Sequence, residues 1–143
     1  MTVKRSQIVS KAKSFIGTPW KHQGRSRRSV DCVGLVYAIA SELDILPPKI
    51  KVPTYRRVPD GSVEGYFKNY MDPASKHALK PGMVLLHSFM SSPYHASILL
   101  DPETGAIVHG YAIQRKVVLD LFKGWKDGMV LHAVYDYRGV TDG

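Results

Sequence analysis

The hydrophobic pattern of this 143-residue chain changes at Pro81. Before that residue, apolar side chains recur at helical spacing; after it they form short runs separated by turn residues. The strand-like runs are residues 83–87, 95–100, 106–111, 114–119 and 129–137. Helices followed by a series of strands predict an α+β fold, with N-terminal helices packed on a C-terminal antiparallel sheet. The turn-like composition of residues 101–105 predicts a hairpin between the strands on either side.

Two helices are predicted ahead of the strands. The first covers residues 6–16, with Ser6 as its cap and Gly17 after its end. Its apolar face consists of Ile8, Ala12, Phe15 and Ile16. The second covers residues 32–44, with Asp31 as its cap, because a carboxylate there can accept the free N–H groups of the first turn. Its wide apolar face predicts a helix that packs against a sheet.

Residues 45–80 are rich in proline and irregular, apart from a short helical pattern from Val63 to Tyr70. A stretch this long with little regular structure often shapes a site, although a plain surface excursion is the alternative. Tyr55 and Arg56 within it are candidate substrate contacts. The same two interpretations, solvated loop or substrate contact, apply to the basic cluster at residues 21–28.

The composition describes a basic chain that is expected to form one domain over positions 1–143. Lysine and arginine number 20 against 12 acidic residues, which gives a net charge of +8. Such a charge favours encounters with polyanions, for example nucleic acid or a bacterial cell wall that carries carboxylates. Because the charges are scattered and no nucleic-acid-binding motif accompanies them, we expect no specific nucleic-acid partner.

The chain contains a single cysteine, Cys32, so no internal disulfide can form. The first residues lack the apolar core of a signal peptide, and the most apolar run, residues 32–40, is too short to cross a bilayer. We therefore expect a chain made in the cytoplasm, without membrane insertion. Zinc-type cysteine pairs, HExxH and nucleotide-binding glycine motifs do not occur in the sequence, and no cofactor or metal is expected.

Cys32 is the candidate nucleophile because it stands at the predicted start of the second helix. The helix dipole there favours the thiolate, which is the reactive form of a cysteine. His95 and His109 lie on the two strands of the predicted hairpin, where one can act as base and the other can orient it. Each residue also has a structural explanation: an inert packing cysteine, histidines of the strands, and in Asp31 a helix cap and nothing more.

Five segments carry a family resemblance in their order and rough spacing. They are residues 17–24, Asp31-Cys32-Val33-Gly34-Leu35-Val36, Pro81-Gly82, residues 95–98 and His109-Gly110. In this arrangement the chain resembles the NlpC family of cell-wall cysteine peptidases, and most of all the short forms associated with the tails of phages and gene transfer agents. The resemblance extends from residue 6 to about residue 120.

The resemblance implies a papain-like fold and hydrolysis of amide bonds in peptidoglycan stem peptides, typically between γ-D-glutamate and the diamino acid. It implies Cys32 as the nucleophile, His95 as the base and His109 as the residue that orients the base. The backbone N–H of Cys32 would help to bind the oxyanion. Asp31 would hold a free amine of the substrate, as the corresponding aspartate does in several relatives.

Three positions depart from the family pattern. Trp20 stands where the family usually has a tyrosine whose hydroxyl assists at the oxyanion, and His22 could replace that hydroxyl. Val33 follows the cysteine where serine is common, which weakens any assignment of the bond that is cut. Met83 follows Pro-Gly where aspartate is common. None of the three removes the predicted catalytic residues.

Two functions of other kinds stay open at this point. The chain could be a non-catalytic wall-binding or tail-assembly subunit that retains the fold, or a papain-fold amidase or acyltransferase with another substrate. As a peptidase it is expected in the virion tail, acting on the cell wall with stem peptides as substrate and tail-tip proteins as partners.

Overall fold

The computed structural model describes residues 2–45, 62–89, 92–122 and 129–142. Within these ranges the chain forms three helices, α1 (Arg5–Ser14), α2 (Cys32–Glu42) and α3 (Ser62–Tyr70). It also forms ten strands there: β1 (Val3–Lys4), β2 (Arg25–Ser26), β3 (Ser29–Val30), β4 (Asp72–Ala74), β5 (Val84–Phe89), β6 (Ser92–Asp101), β7 (Ala106–Tyr111), β8 (Lys116–Leu121), β9 (Met129–Asp136) and β10 (Val140–Thr141).

Six of these strands form one antiparallel sheet in the order β4-β9-β5-β6-β7-β8. The predicted α+β class is therefore confirmed, and so is the hairpin, since β6 and β7 pair on either side of the turn at residues 102–105. Strands β5 to β8 follow one another across the sheet. Strand β9 does not continue this series; it returns to lie between β4 and β5.

Both ends of the described chain are joined by a short parallel ladder between β1 and β10. Beside it, Arg5 at the start of α1 makes a bidentate ion pair with Asp136 at the end of β9, with nitrogen–oxygen distances of 2.9 and 3.1 Å. Arg5 also donates to Asp142 at 2.7 Å. A buried fork of this kind fixes the orientation of α1 relative to the sheet, because both of its hydrogen bonds require one geometry.

Helix α1 matches the prediction in its core and differs at both ends. Ile8, Ala12 and Phe15 are fully buried, but Ile16, expected on the same face, is 45% exposed. The helix ends at Ser14, and the chain turns outward there before Gly17, whose φ of +93° suits glycine. The prediction of Ser6 as the cap is wrong. Lys4 occupies that position, and its N–H donates to the Gln7 side chain.

Helix α2 begins where it was predicted and ends at Glu42, two residues early. Asp31 caps it as expected: its Oδ1 accepts the backbone N–H of Gly34 at 2.7 Å. Helix α3 confirms the short helical pattern near residues 63–70.

The apolar residues of the sheet form two clusters, one on each face. The larger cluster contains the helices together with sheet residues such as Ala96, Ile98 and Val108. The smaller one contains Met83, Leu85, Leu99, Ile107 and Val134. Because side chains alternate along a strand, Leu99 and Ile107 mark the face that points away from α2.

The start of α2 lies against the loop that ends at Gly24. A methyl group added at Gly34 would lie 1.6 Å from the Gly24 carbonyl oxygen, a distance that no side chain can adopt. Glycine at position 34 is therefore required by close packing of a helix against backbone. Gly65 in α3 is a contrasting case, since an added methyl group there would meet nothing within 4 Å.

We predict opposite effects for the same substitution at these two helical glycines. Gly34→Ala should lower the free energy of unfolding by about 2 kcal/mol or more, because the loop and the helix must move apart. Gly65→Ala, the matched control, should raise it by about 0.5–1 kcal/mol, since alanine loses less backbone entropy on folding. Urea denaturation of both variants measures the two values, and equal effects at the two positions would contradict the packing argument.

Candidate active site

The carboxylate of Asp31 joins α2 to the preceding loop. Its Oδ1 accepts the Gly34 N–H, and its Oδ2 accepts the Gln23 N–H at 2.6 Å. His22 lies beside the same oxygen, with its Nδ1 3.9 Å away. Asp31 is only 3% exposed, so its first role is to hold residues 22–24 against the helix start.

The start of α2 reaches the hairpin where strands β6 and β7 separate. Their described pairing runs from Asp101 and Ala106 to Ile98 and Val108. Nearer to His95, the backbone N–H of Ala96 makes a hydrogen bond to the Cys32 sulfur. A methyl group added at Gly110 would lie 3.0 Å from the Asp31 carbonyl carbon and 3.4 Å from the Cys32 nitrogen. The helix start therefore lies close to both strands.

The two predicted histidines are in direct contact. Nε2 of His95 lies 2.7 Å from Nδ1 of His109, and the ring centroids are 5.0 Å apart. His109 is completely buried, and His95 is 7% exposed. The backbone N–H of Ala96, the residue after His95, bonds the Cys32 sulfur, so the thiol lies next to the strand that carries His95.

Strand alternation puts His95, Ser97 and Leu99 on one face of β6. The thiol would reach the histidines most directly if α2 packed on that face. The apolar side of α2 instead clusters with Ala96 and Ile98, which point the other way. The thiol thus lies beside Ala96, beyond the described pairing of β6 with β7.

The surroundings of Cys32 favour a neutral thiol. Burial raises the pKa of the thiol to about 12, and the adjacent Asp31 carboxylate acts in the same direction. The N–H groups of Ala96, Val33 and Cys32 lower this pKa, by less. The raised pKa runs against the expectation from the helix dipole, because loss of hydration opposes the field of the helix start.

The histidines are held neutral as well. Burial lowers the pKa of His95 well below its ordinary value of 6.5, and the neighbouring His109 and His87 add to the effect. Burial also lowers the pKa of His109, although the hydrogen bond that His109 donates to Asp120 opposes this shift. A neutral imidazole beside a neutral thiol is suited to general-base catalysis, because its lone pair can take the thiol proton during attack.

Three residues near this site were missed or set aside by sequence reasoning. Oδ2 of Asp120 lies 3.1 Å from Nε2 of His109, and the Tyr111 ring stacks on His109 at 4.9 Å. His87 pairs with His95 across β5 and β6, and its Nε2 lies 2.9 Å from the Ser97 hydroxyl. Strand alternation by itself places Tyr111 on the His109 face, whereas Asp120 could be placed there only with the pairing of β7 and β8 known.

The other predicted substrate contacts are Trp20, Tyr55 and Arg56. Trp20 forms a bridge with Val30, two residues before Cys32, and donates its backbone N–H to Arg115. Tyr55 and Arg56 lie outside the described residues.

In the part of the chain that the structure describes, no group of three or more His, Cys, Asp or Glu side chains is arranged to hold a metal ion. Among the described helices, none is long and apolar enough to cross a membrane.

An α+β fold with a cysteine at a helix start and two histidines on the sheet defines a papain-like domain. The sequence model of the NlpC/P60 family matches residues 17–141, and the chain belongs to this family. A comparison with curated protein sequences finds no match. The family resemblance is thereby confirmed, whereas the phage and gene-transfer-agent subtype stays a prediction.

Solved structures of this family share the fold at low sequence identity. NlpC2 from Trichomonas vaginalis is 15% identical with a TM-score of 0.69, over 96% of this chain and 48% of its own. The NlpC/p60 domain of the peptidoglycan hydrolase SagA is 18% identical with a TM-score of 0.65, over 91% and 99%. RipD from Mycobacterium tuberculosis, described as a non-catalytic, peptidoglycan-binding NlpC/p60 protein, is 14% identical with a TM-score of 0.58, over 92% and 95%. The chain thus spans about half the length of the Trichomonas protein.

The buried neutral histidines predict that the protein loses stability in mild acid. Burial lowers the pKa of His87 to about 3, and the pKa values of His95 and His109 are lowered as well. Below about pH 6.5 the unfolded chain binds protons at these positions more readily than the folded chain does. The free energy of unfolding should therefore fall with decreasing pH, and His87, with its pKa of about 3, should contribute about 1.4 kcal/mol per pH unit.

Urea unfolding between pH 6.5 and 5 measures this slope. The matched variant is His87→Gln, whose amide cannot titrate but can still bond the Ser97 hydroxyl. It should reduce the slope by about one proton. Identical slopes for the variant and the wild type would show that His87 is not held neutral in the folded chain.

Proposed function

We propose that the chain is a cysteine endopeptidase that hydrolyses amide bonds in peptidoglycan stem peptides, at the bond between γ-D-glutamate and the diamino acid. The observation that carries this proposal is the 2.7 Å contact between His95 and His109 beside the residue that holds the Cys32 sulfur. Membership of the NlpC/P60 family and the likeness to the SagA hydrolase domain support it.

In the proposed reaction, the Cys32 sulfur attacks the carbonyl carbon of the amide while His95 takes the thiol proton. The oxyanion is bound by the backbone N–H of Cys32. His95 then gives its proton to the leaving nitrogen, and the C–N bond breaks to release an amine and leave a thioester on Cys32. Water, deprotonated by His95, hydrolyses the thioester and restores the thiol.

Substrate contacts are proposed on the loop that Asp31 organises. Both carboxylate oxygens already accept backbone N–H groups, so an amine of the substrate would use a remaining lone pair of Oδ2, on the side where His22 lies. Trp20 flanks the same loop, and Tyr55 and Arg56 stay predicted contacts. The net charge of +8 suits a wall that carries carboxylates.

A second candidate function is wall binding without turnover. The raised pKa of the Cys32 thiol favours it, since a neutral thiol is a weak nucleophile until the base acts. The likeness to RipD, described as non-catalytic, also supports it. A place in the tail of a phage or a gene transfer agent rests on the sequence resemblance, and co-purification of the chain with such particles tests it.

We predict that purified sacculi incubated with the wild type release new amino groups, and that Cys32→Ala abolishes this release. The loss should be at least about a thousandfold, because no other group supplies the nucleophile. His95→Ala should be nearly as damaging, and His109→Ala should cost less, since it acts through His95. His132→Ala is the matched control: this half-exposed histidine pairs with Glu64 on α3.

Mass spectrometry of the products decides between the candidates. Stem peptides cut after γ-D-glutamate support the proposal. Retention of the chain on sacculi with no cleavage identifies the wall-binding function instead. Acyl transfer products, or cleavage only of amides from outside the wall, identify a papain-fold enzyme with another substrate. A His132→Ala variant less active than His95→Ala would show that the base has been assigned to the wrong histidine.

A further inference from the structure

We propose that Asp120 is a positioning residue that sets the direction of the hydrogen bonds through His109 and His95, so that Nδ1 of His95 carries the lone pair that accepts the thiol proton. The hydrogen-bond direction is a property of the folded chain alone. Its catalytic consequence rests on the proposed peptidase function.

Strand register places Asp120 next to His109. In the pairing of β7 with β8, His109 lies opposite Val118 and Ile107 lies opposite Asp120. Asp120 is therefore the diagonal neighbour of His109 on one face of the sheet, within reach of its ring. The carboxylate is also fixed in orientation: Oδ2 meets Nε2 of His109 at 3.1 Å, while Oδ1 accepts the backbone N–H of Leu121 at 2.8 Å.

The hydrogen bonds run from His95 to His109 to Asp120, and the carboxylate of Asp120 at the end of this series determines which atom donates in each of them. An ionised carboxylate has no hydrogen to donate, so Nε2 of His109 must carry the proton. A neutral His109 then has its lone pair at Nδ1, and the 2.7 Å contact requires a proton on Nε2 of His95. A neutral His95 in turn has its lone pair at Nδ1. Without Asp120, the hydrogen bond between Nε2 of His95 and Nδ1 of His109 could form with either ring as the donor.

The carboxylate also matters after the proton transfer. When His95 becomes an imidazolium, it is a buried cation, and its Nε2–H donates to a His109 ring that is itself polarised by Asp120. Among the described residues, the titratable groups close to the two rings are His87 on β5, Tyr111 on β7 and Asp120 on β8. Cys32 at the start of α2 bonds the backbone N–H of Ala96, the residue after His95, and Asp31 precedes it. Asp120 is the acidic side chain among them that bonds an imidazole directly.

The first test is nuclear magnetic resonance of the full chain labelled with ¹⁵N in its histidine rings, at neutral pH and without substrate. The proposal expects the Nε2–H tautomer for both His95 and His109 in the wild type. Asp120→Asn keeps the size of the side chain but can present either an oxygen or an NH₂ group, so both rings should become mixtures of tautomers. Asp72→Asn, on the opposite edge strand β4, is the matched control and should leave the ring signals unchanged.

The second test is the pH dependence of kcat/KM on muropeptides. Asp120→Asn and Asp120→Ala should lower the plateau by about tenfold or more, as expected for a group that orients a base. Both should also move the acidic limb to lower pH, because the base loses the carboxylate that favours its protonated form. A role in folding alone would lower the amount of active protein without moving the limb, and that result would overturn the proposal.

The two tests distinguish failure of the positioning role from failure of the proposed function. An Nδ1–H tautomer at His109 in the wild type, or unchanged tautomers in both Asp120 variants, overturns the proposal whether or not the chain cuts peptidoglycan. The expected tautomers in a wild type that cuts nothing would support the positioning role of Asp120 and reject the proposed function.

Discussion

The approach of the α2 start to the open end of the β6–β7 ladder is the contact on which the site depends. Gly110 permits it, because it lies against the backbone of Asp31 and Cys32. Gly34 lets the same helix start lie against the Gly24 carbonyl, and the Asp31 carboxylate fixes the helix start to that loop. A side chain at Gly110 would push the helix start away from the strand that carries His109, because protein interiors have no spare volume to absorb it.

This tight approach also determines the protonation of the site. The contacts that bring the sulfur to Ala96 remove much of its water, although Cys32 is only partly buried, and the two histidines are buried more completely. Loss of hydration penalises charge on all three groups, so a neutral thiol and a neutral imidazole are the stable pair. Charge then develops only during the reaction, in surroundings where oriented hydrogen bonds act more strongly than they do in water.

Much of the fold could be predicted because its signals are local. The hairpin composition of residues 101–105, the cap at Asp31 and the alternation along β6 and β7 act within a few residues of the chain, and the structure agrees with each of them. Predictions from a local pattern were wrong where tertiary packing decided the outcome. Ile16 continues the apolar face of α1 in the sequence, yet the helix ends before it and the side chain is exposed. The insertion of β9 between β4 and β5 has no local signal, since strand order depends on contacts between distant segments.

The candidate site likewise contains residues that the sequence could identify and residues that it could not. Cys32, His95 and His109 can be chosen from residue type, spacing and family resemblance, because a nucleophile and its base need few kinds of side chain. Asp120 could not be chosen, because its proximity to His109 depends on the register between two strands. The ionisation of the thiol could not be judged either: the linear sequence contains the helix start that favours a thiolate, but only the folded chain contains the burial that opposes it. Hydrogen-bond partners and lost hydration are properties of three-dimensional neighbours, and the folded arrangement alone supplies them.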